Sequence, residues 1–93
     1  MQQIGSAVPG AIAELLRGAP MSPGKIDFAW KTAVGAALAR VTAVRFEGRL
    51  LLVDAATTHW AREIRRSSPI ILRRLQTLLG DNVITELTVR TRI

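Results

Sequence analysis

The stretch HWAREIRRSSPIILRRLQTLLG, residues His59–Gly80, decides the fold because it is the longest amphipathic segment of the chain. One side of it is apolar at helical spacing and is formed by Trp60, Ile64, Ile71, Leu75 and Leu78. Five arginines and a single glutamate stand between these positions. The stretch therefore predicts a helical segment with one buried side and one basic side.

Pro69 lies in the middle of this segment and bears on its continuity. Proline disfavours helical backbone at the residue before it and is well tolerated in the first turn of a new helix. We therefore predict two helices, one from Thr58 to about Ser67 and one from Pro69 to Leu79. Thr57 or Thr58 is the expected N-cap of the first, and Gly80 the expected stop of the second.

Two further helices are predicted before this segment. Ser6 or Ala7 can cap a short helix with Pro9 in its first turn, which runs to about Leu16. Ser22 and Pro23 repeat this start signal for a second helix that reaches about Val41, with small residues around Gly35 that allow close approach of another element. Trp30 is the expected core anchor of that helix. Phe28 falls on the opposite side, where packing under the first helix is favoured over an exposed contact point.

The segment VTAVRFEGRLLLVDA, residues 41–55, predicts a hairpin because an apolar and β-branched run is broken only by Glu47-Gly48. If Phe46 pairs with Arg49, one face of the hairpin holds Val44, Phe46, Leu51 and Val53. The final segment, residues 83–93, alternates as a strand with one buried face. A strand reached through a helical crossover should run parallel to its neighbour.

These segments predict a single α+β domain over residues 1–93. The expected order is ααββααβ, with a three-stranded mixed sheet and helices packed on one face. A chain of 93 residues is long enough for one modest core. The absence of a signal peptide pattern and of a long apolar run predicts a cytoplasmic protein with no membrane partner.

The side chains that could act in catalysis or bind a metal are too few and too scattered along the sequence to predict an enzyme. His59 is the only histidine, there is no cysteine, and the carboxylates are spread over separate segments. No metal-ligand spacing and no glycine-rich phosphate loop is present. We therefore expect a non-enzymatic protein without metal or cofactor, in which His59 is a surface residue near the start of a helix.

The positive charge of the chain favours a polyanionic partner. Thirteen basic residues against seven acidic residues give a net charge of +6, and residues 57–80 carry +4 of it. Eleven of the thirteen are arginines, a bias that a GC-rich genome would produce as readily as function would. The candidate nucleic-acid-binding residues are Arg62, Arg65, Arg66 and Arg73, with Arg74, Arg90 and Arg92 as lesser candidates.

On a continuous helix, Arg62, Arg66 and Arg73 would lie on nearly one line opposite the apolar side. A break at Pro69 would preserve that line only in part. Such a face is either a solvated surface or a surface that contacts phosphates without reading sequence. Only four aromatic residues are present to stack on bases, which favours backbone contacts or a protein partner.

Five motifs, in this order, resemble the DciA family of bacterial proteins across roughly residues 8–92. They are WKTAVGAALAR (Trp30–Arg40), GRLLLV (Gly48–Val53), HWAREI (His59–Ile64), ILRRLQTLLG (Ile71–Gly80) and LTVR (Leu87–Arg90). The resemblance implies a KH-like domain of type II order and a part in loading or recruiting the DnaB-type replicative helicase.

In a KH domain the turn between the paired helices is a glycine-containing clamp. Here that turn would be residues 65–68, which lack glycine and could meet phosphate by side chain only.

The expected function is therefore that of a DNA-replication accessory protein. It would bind single-stranded or duplex DNA through its arginines, contact the replicative helicase, and reside in the cytoplasm or at the nucleoid. Two alternatives are an RNA-associated KH-like module and a protein adaptor whose arginines meet acidic residues of a partner.

Overall fold

The computed structural model describes residues 20–91, and the short helix predicted to begin after a cap at Ser6 or Ala7 and to run to about Leu16 lies outside them. The elements are α1 (Pro23–Val34), α2 (Ala36–Arg40), β1 (Thr42–Glu47), β2 (Leu50–Ala55), α3 (Thr58–Leu79) and β3 (Glu86–Thr91). The predicted α+β class is confirmed, with helices before the hairpin, a helical crossover after it and a closing strand.

The three strands form one mixed sheet in the order β1-β2-β3. β1 pairs antiparallel with β2, and β2 pairs parallel with β3 as the crossover predicts. Phe46 lies opposite Leu51 rather than Arg49, so the turn is Gly48-Arg49, where Gly48 has a φ of 62°. The shift is two residues, and side chains alternate with a period of two. The predicted faces of the hairpin are therefore correct although the register is not.

The core lies between the sheet and the helices on one of its faces. The central strand contributes Leu51, Val53 and Ala55, all fully buried. They belong to a larger buried cluster whose members from the helices and loops include Ile26, Ala29, Trp30, Ala33, Ala61, Ile64, Ile71, Leu75, Leu78, Leu79 and Ile84. On the other side of the sheet, Arg45, Thr88 and Arg90 are exposed.

The helix predicted to run from Pro23 to about Val41 is in fact two helices, α1 and α2, separated by Gly35. Gly35 has φ 92° and ψ 160°, a conformation that side chains other than glycine rarely adopt. Among residues 20–91, a Cβ at this position would meet no atom within 4 Å. The glycine therefore serves the backbone bend, and no described element makes the predicted close approach at Gly35. Trp30 is the core anchor as predicted, and its Nε1 donates to Thr42 Oγ1 at 2.8 Å.

The break predicted at Pro69 is wrong, because α3 is one helix of 22 residues that includes this proline. Thr57 is its N-cap, accepting from the Trp60 N–H at 3.2 Å, and Gly80 is its C-cap. Pro69 is exposed, so water can hydrogen-bond the Arg65 carbonyl that a proline leaves without a partner. Ile64 and Ile71 flank the proline seven residues apart and are both buried. A continuous helix directs both at the sheet, and their burial is worth about 1.5 to 3 kcal/mol each.

Candidate nucleic-acid interface

The continuity of α3 brings three of the predicted arginines together on its outer side. Arg62, Arg66 and Arg73 are all exposed, and at about 100° per residue they fall within about 40° of one another. They stand about 6 Å and 10 Å apart along the helix axis. The buried side of α3 lies nearly opposite. We call these three residues the arginine face.

The guanidinium groups of the arginine face are available to a partner. Within residues 20–91, those of Arg62 and Arg73 make no ion pair or hydrogen bond. Arg66 lies 3.7 Å from Glu63, one turn earlier on the same helix, and both side chains are well exposed. An exposed ion pair of this length contributes little and is screened by salt. Arg66 can therefore leave Glu63 for a phosphate at low cost.

Arg65 and Arg74 hold α3 to its neighbours. Arg65 Nη2 donates to the carbonyl of Val89 in β3 at 3.0 Å, and Arg74 Nη1 donates to the carbonyl of Ala33 at 3.0 Å. Ala33 is in the last turn of α1, where carbonyls lack a helical partner. One part of each guanidinium group is thus occupied by backbone. Sequence pattern missed this function because a distant carbonyl leaves no local signal.

The remaining candidates lie apart from the arginine face. Arg90 is on the opposite side of the sheet from α3, where its Nε pairs with Asp54 Oδ1 at 3.0 Å. Arg92 lies outside the residues that the structure describes. The described candidates therefore divide into the three residues of the arginine face, two residues that bridge elements, of which Arg65 is also exposed, and one residue on the far face.

The glycine-free turn predicted for residues 65–68 does not exist, because these residues are helical. Ser68 Oγ donates to the Ile64 carbonyl at 2.9 Å within the helix. A backbone clamp needs an open turn that a phosphate can approach, and α3 offers none at this place. Phosphate contacts on α3 must come from side chains.

Phenylalanine and tryptophan offer the arginine face no exposed ring on which a base could stack. Trp30 is buried, and Phe46 and Trp60 are partly buried against the core. His59 is a surface residue as predicted and meets Trp60 edge-on, with ring centroids 5.1 Å apart. Phe28 is 48% exposed and belongs to α1 rather than α3, and the helix under which it is expected to pack lies outside the described residues.

Neither a metal cluster nor a membrane helix is found in the part of the chain that the structure describes. Between residues 20 and 91, no three histidine or acidic side chains gather as metal ligands would. None of the helices there combines the length and apolar composition that crossing a membrane requires.

Comparison with models of protein families gives a match over most of the chain. The model of the family described as "Dna[CI] antecedent, DciA" matches residues 3–89, which is nearly the whole chain. No curated protein sequence matches the chain. The match spans the hairpin and all of α3, and so includes the arginine face.

Proposed function

The chain belongs to the DciA family and so has a helicase-loader-like role in DNA replication, and from this premise we propose that it binds DNA through the arginine face and recruits or loads the DnaB-type replicative helicase. The proposal assigns no catalytic step to the chain. It assigns DNA contact to Arg62, Arg66 and Arg73.

The observation that carries the proposal is the placement of three exposed guanidinium groups on one straight line of a continuous helix. Guanidinium groups form paired hydrogen bonds with phosphate oxygens and remain charged at all working pH values. Each phosphate that they neutralise releases counterions from the DNA. Binding by such a surface is therefore strong at low salt and weakens steeply as salt is added.

The same surface favours contacts to the DNA backbone over contacts to bases. The one exposed phenylalanine or tryptophan among residues 20–91, Phe28, lies on a different helix. Phosphate contacts position a protein on DNA without reading its sequence. The proposed ligand is thus the sugar-phosphate backbone of single-stranded or duplex DNA.

Replacing Arg62, Arg66 and Arg73 together with glutamine tests the arginine face. The wild-type protein should lose about 40-fold in DNA affinity between about 50 and 200 mM salt if three phosphates are neutralised. In the variant, the slope of log affinity against log salt should be shallower by about 2.7, measured by fluorescence anisotropy, and the circular dichroism spectrum should be unchanged. An unchanged affinity and slope would exclude the arginine face as the DNA site.

A matched control variant carries glutamine at Arg40, Arg45 and Arg49. These arginines are exposed on α2, β1 and the hairpin turn, away from α3. Both triple variants lower the net charge from +6 to +3. An equal loss of affinity in the two would indicate that total charge, and not the arginine face, governs binding.

The helicase part of the proposal is tested by affinity capture from the native cell with and without nuclease. Recovery of the DnaB-type helicase in both samples supports direct recruitment. Recovery only without nuclease indicates that DNA bridges the two proteins.

A competition among single-stranded DNA, duplex DNA and structured RNA shows which nucleic acid the protein prefers. A clear preference for RNA would contradict the proposal.

A further inference from the structure

We propose that the outer edge of β1 binds an extended segment of a protein partner, which pairs antiparallel with β1 as a fourth strand. The site lies on the edge of the sheet next to α1, away from the outer side of α3. The proposal does not depend on DNA binding by the arginine face.

The hydrogen bonds of the hairpin show which backbone groups of β1 are unpaired. Ala56 N donates to the Val41 carbonyl at 2.9 Å, so Val41 is bonded to the strand that precedes α3. Hydrogen-bonded positions alternate along an antiparallel pair, so Ala43 and Arg45 are also bonded to β2. The N–H and C=O groups of Val44 and Phe46 therefore point outward. No other strand among residues 20–91 pairs with this edge.

A groove follows this edge between β1 and α1. It consists of two adjoining cavities of about 400 and 490 Å³, both lined by Asp27 and Val44. The first cavity continues to Ile26 and Phe46, and the other walls are shared among residues of α1, α2 and β1. The groove thus runs beside the same residues whose backbone groups are unpaired.

The lining of the groove suits the side chains of an added strand. Alternate side chains of a strand that pairs with β1 would point to the helix side of the sheet and into the cavities. Met21, Ile26 and Phe46 give the first cavity an apolar wall, and Met21 is 42% exposed. Backbone pairing with side-chain pockets at alternate positions is how sheet edges recognise extended peptides.

The charges of the groove favour a peptide over a nucleic acid. Asp27 lines both cavities and would repel a phosphate backbone, and the carboxylate of Glu47, 3.2 Å from Arg45, offsets the positive charge of that arginine at the first cavity. Lys31 lies one helical turn from Asp27, about 6 Å along the axis. Side chains on one face of a strand repeat every ~6.6 Å. The groove therefore fits a peptide with a basic and an acidic residue two positions apart, flanked by apolar residues.

The test uses a labelled seven-residue peptide with leucine at both ends, lysine at the third position, glutamate at the fifth and threonine between them. Binding is followed by anisotropy, and amide hydrogen exchange is followed by NMR. At a peptide concentration about ten times Kd, exchange of the Val44 and Phe46 amides should slow about tenfold, because only free protein exchanges. The Ala43 and Arg45 amides, already bonded to β2, should not change.

Two N-methylated peptides are the matched controls, and they leave the protein untouched. Methylation at the lysine and glutamate removes N–H groups that would face β1 and should abolish binding. Methylation at two threonines, whose N–H groups would face away, should preserve it. The proposal is overturned if no saturable binding occurs, if both methylated peptides bind alike, or if protection does not alternate along β1. Protection of the same two amides by a thymidine oligonucleotide would also overturn it.

Discussion

Arg65 and Arg66 are adjacent in the chain, yet their guanidinium groups meet different surroundings. Arg65 reaches the Val89 carbonyl in β3, while Arg66 is exposed beside Glu63. Arg65 is itself exposed, but a step of about 100° on the helix brings its guanidinium group within reach of β3 and leaves that of Arg66 without such a partner. The sequence predicted both as nucleic-acid contacts, since composition reveals the charge of a residue but not the distant carbonyl that it meets.

At the scale of single residues, we predict that Arg65→Met mainly lowers stability and that Arg66→Met mainly weakens DNA binding. Each variant removes one positive charge and keeps most of the aliphatic chain. Arg65→Met should lower the free energy of unfolding by about 1 kcal/mol, because the Val89 carbonyl loses its donor. Arg66→Met should leave stability within about 0.5 kcal/mol and reduce the DNA salt slope by about 1. Urea unfolding and anisotropy separate the two, and an equal loss of DNA affinity would contradict the division of roles.

The helix α3 shows where local rules and tertiary packing disagree. The sequence correctly gave its start near Thr57, its stop at Gly80 and its apolar side, because each of these depends on neighbouring residues. The interruption at Pro69 was also a sound local inference. It failed because the buried residues on both sides of Pro69 face the sheet only when the helix is continuous. The rule that proline disfavours helix at the residue before it takes no account of the free energy of that burial.

Pro69→Ala should therefore stabilise the protein. Alanine restores the N–H that can donate to the Arg65 carbonyl and removes the clash of the proline ring with that carbonyl. The greater freedom of the unfolded chain offsets part of this gain, which leaves about 1 to 2 kcal/mol. The measurement is a shift of the urea midpoint at unchanged slope, with Ser67→Ala as control for a simple gain in helix propensity. A lower midpoint for Pro69→Ala would mean that the fold requires the proline at this position.

At the scale of the whole molecule, the sheet topology could be predicted from the sequence. The residues that form the candidate site could be predicted only in part. The crossover rule gave the parallel pairing of β2 and β3, and alternation gave the hairpin faces even though the pairing of Phe46 shifted by two residues. The arginine face depends on the three-dimensional continuity of α3, and the unpaired edge of β1 depends on the hydrogen-bond phase of the hairpin. Neither feature can be inferred from a single segment of the sequence.

Binding of DNA by the whole molecule should be independent of base sequence. The arginine face contacts phosphates, and the described residues place no exposed phenylalanine or tryptophan beside it. The protein should therefore bind two duplexes of equal length and unrelated sequence with affinities within about threefold of each other. A single bidentate contact to a base would instead favour one duplex by about 1 to 3 kcal/mol of binding free energy. Neutralisation of three phosphates predicts a log–log salt slope of about −2.7 for both duplexes. A preference above about tenfold would require base contacts or recognition of DNA shape, and a much steeper slope would require cations beyond Arg62, Arg66 and Arg73.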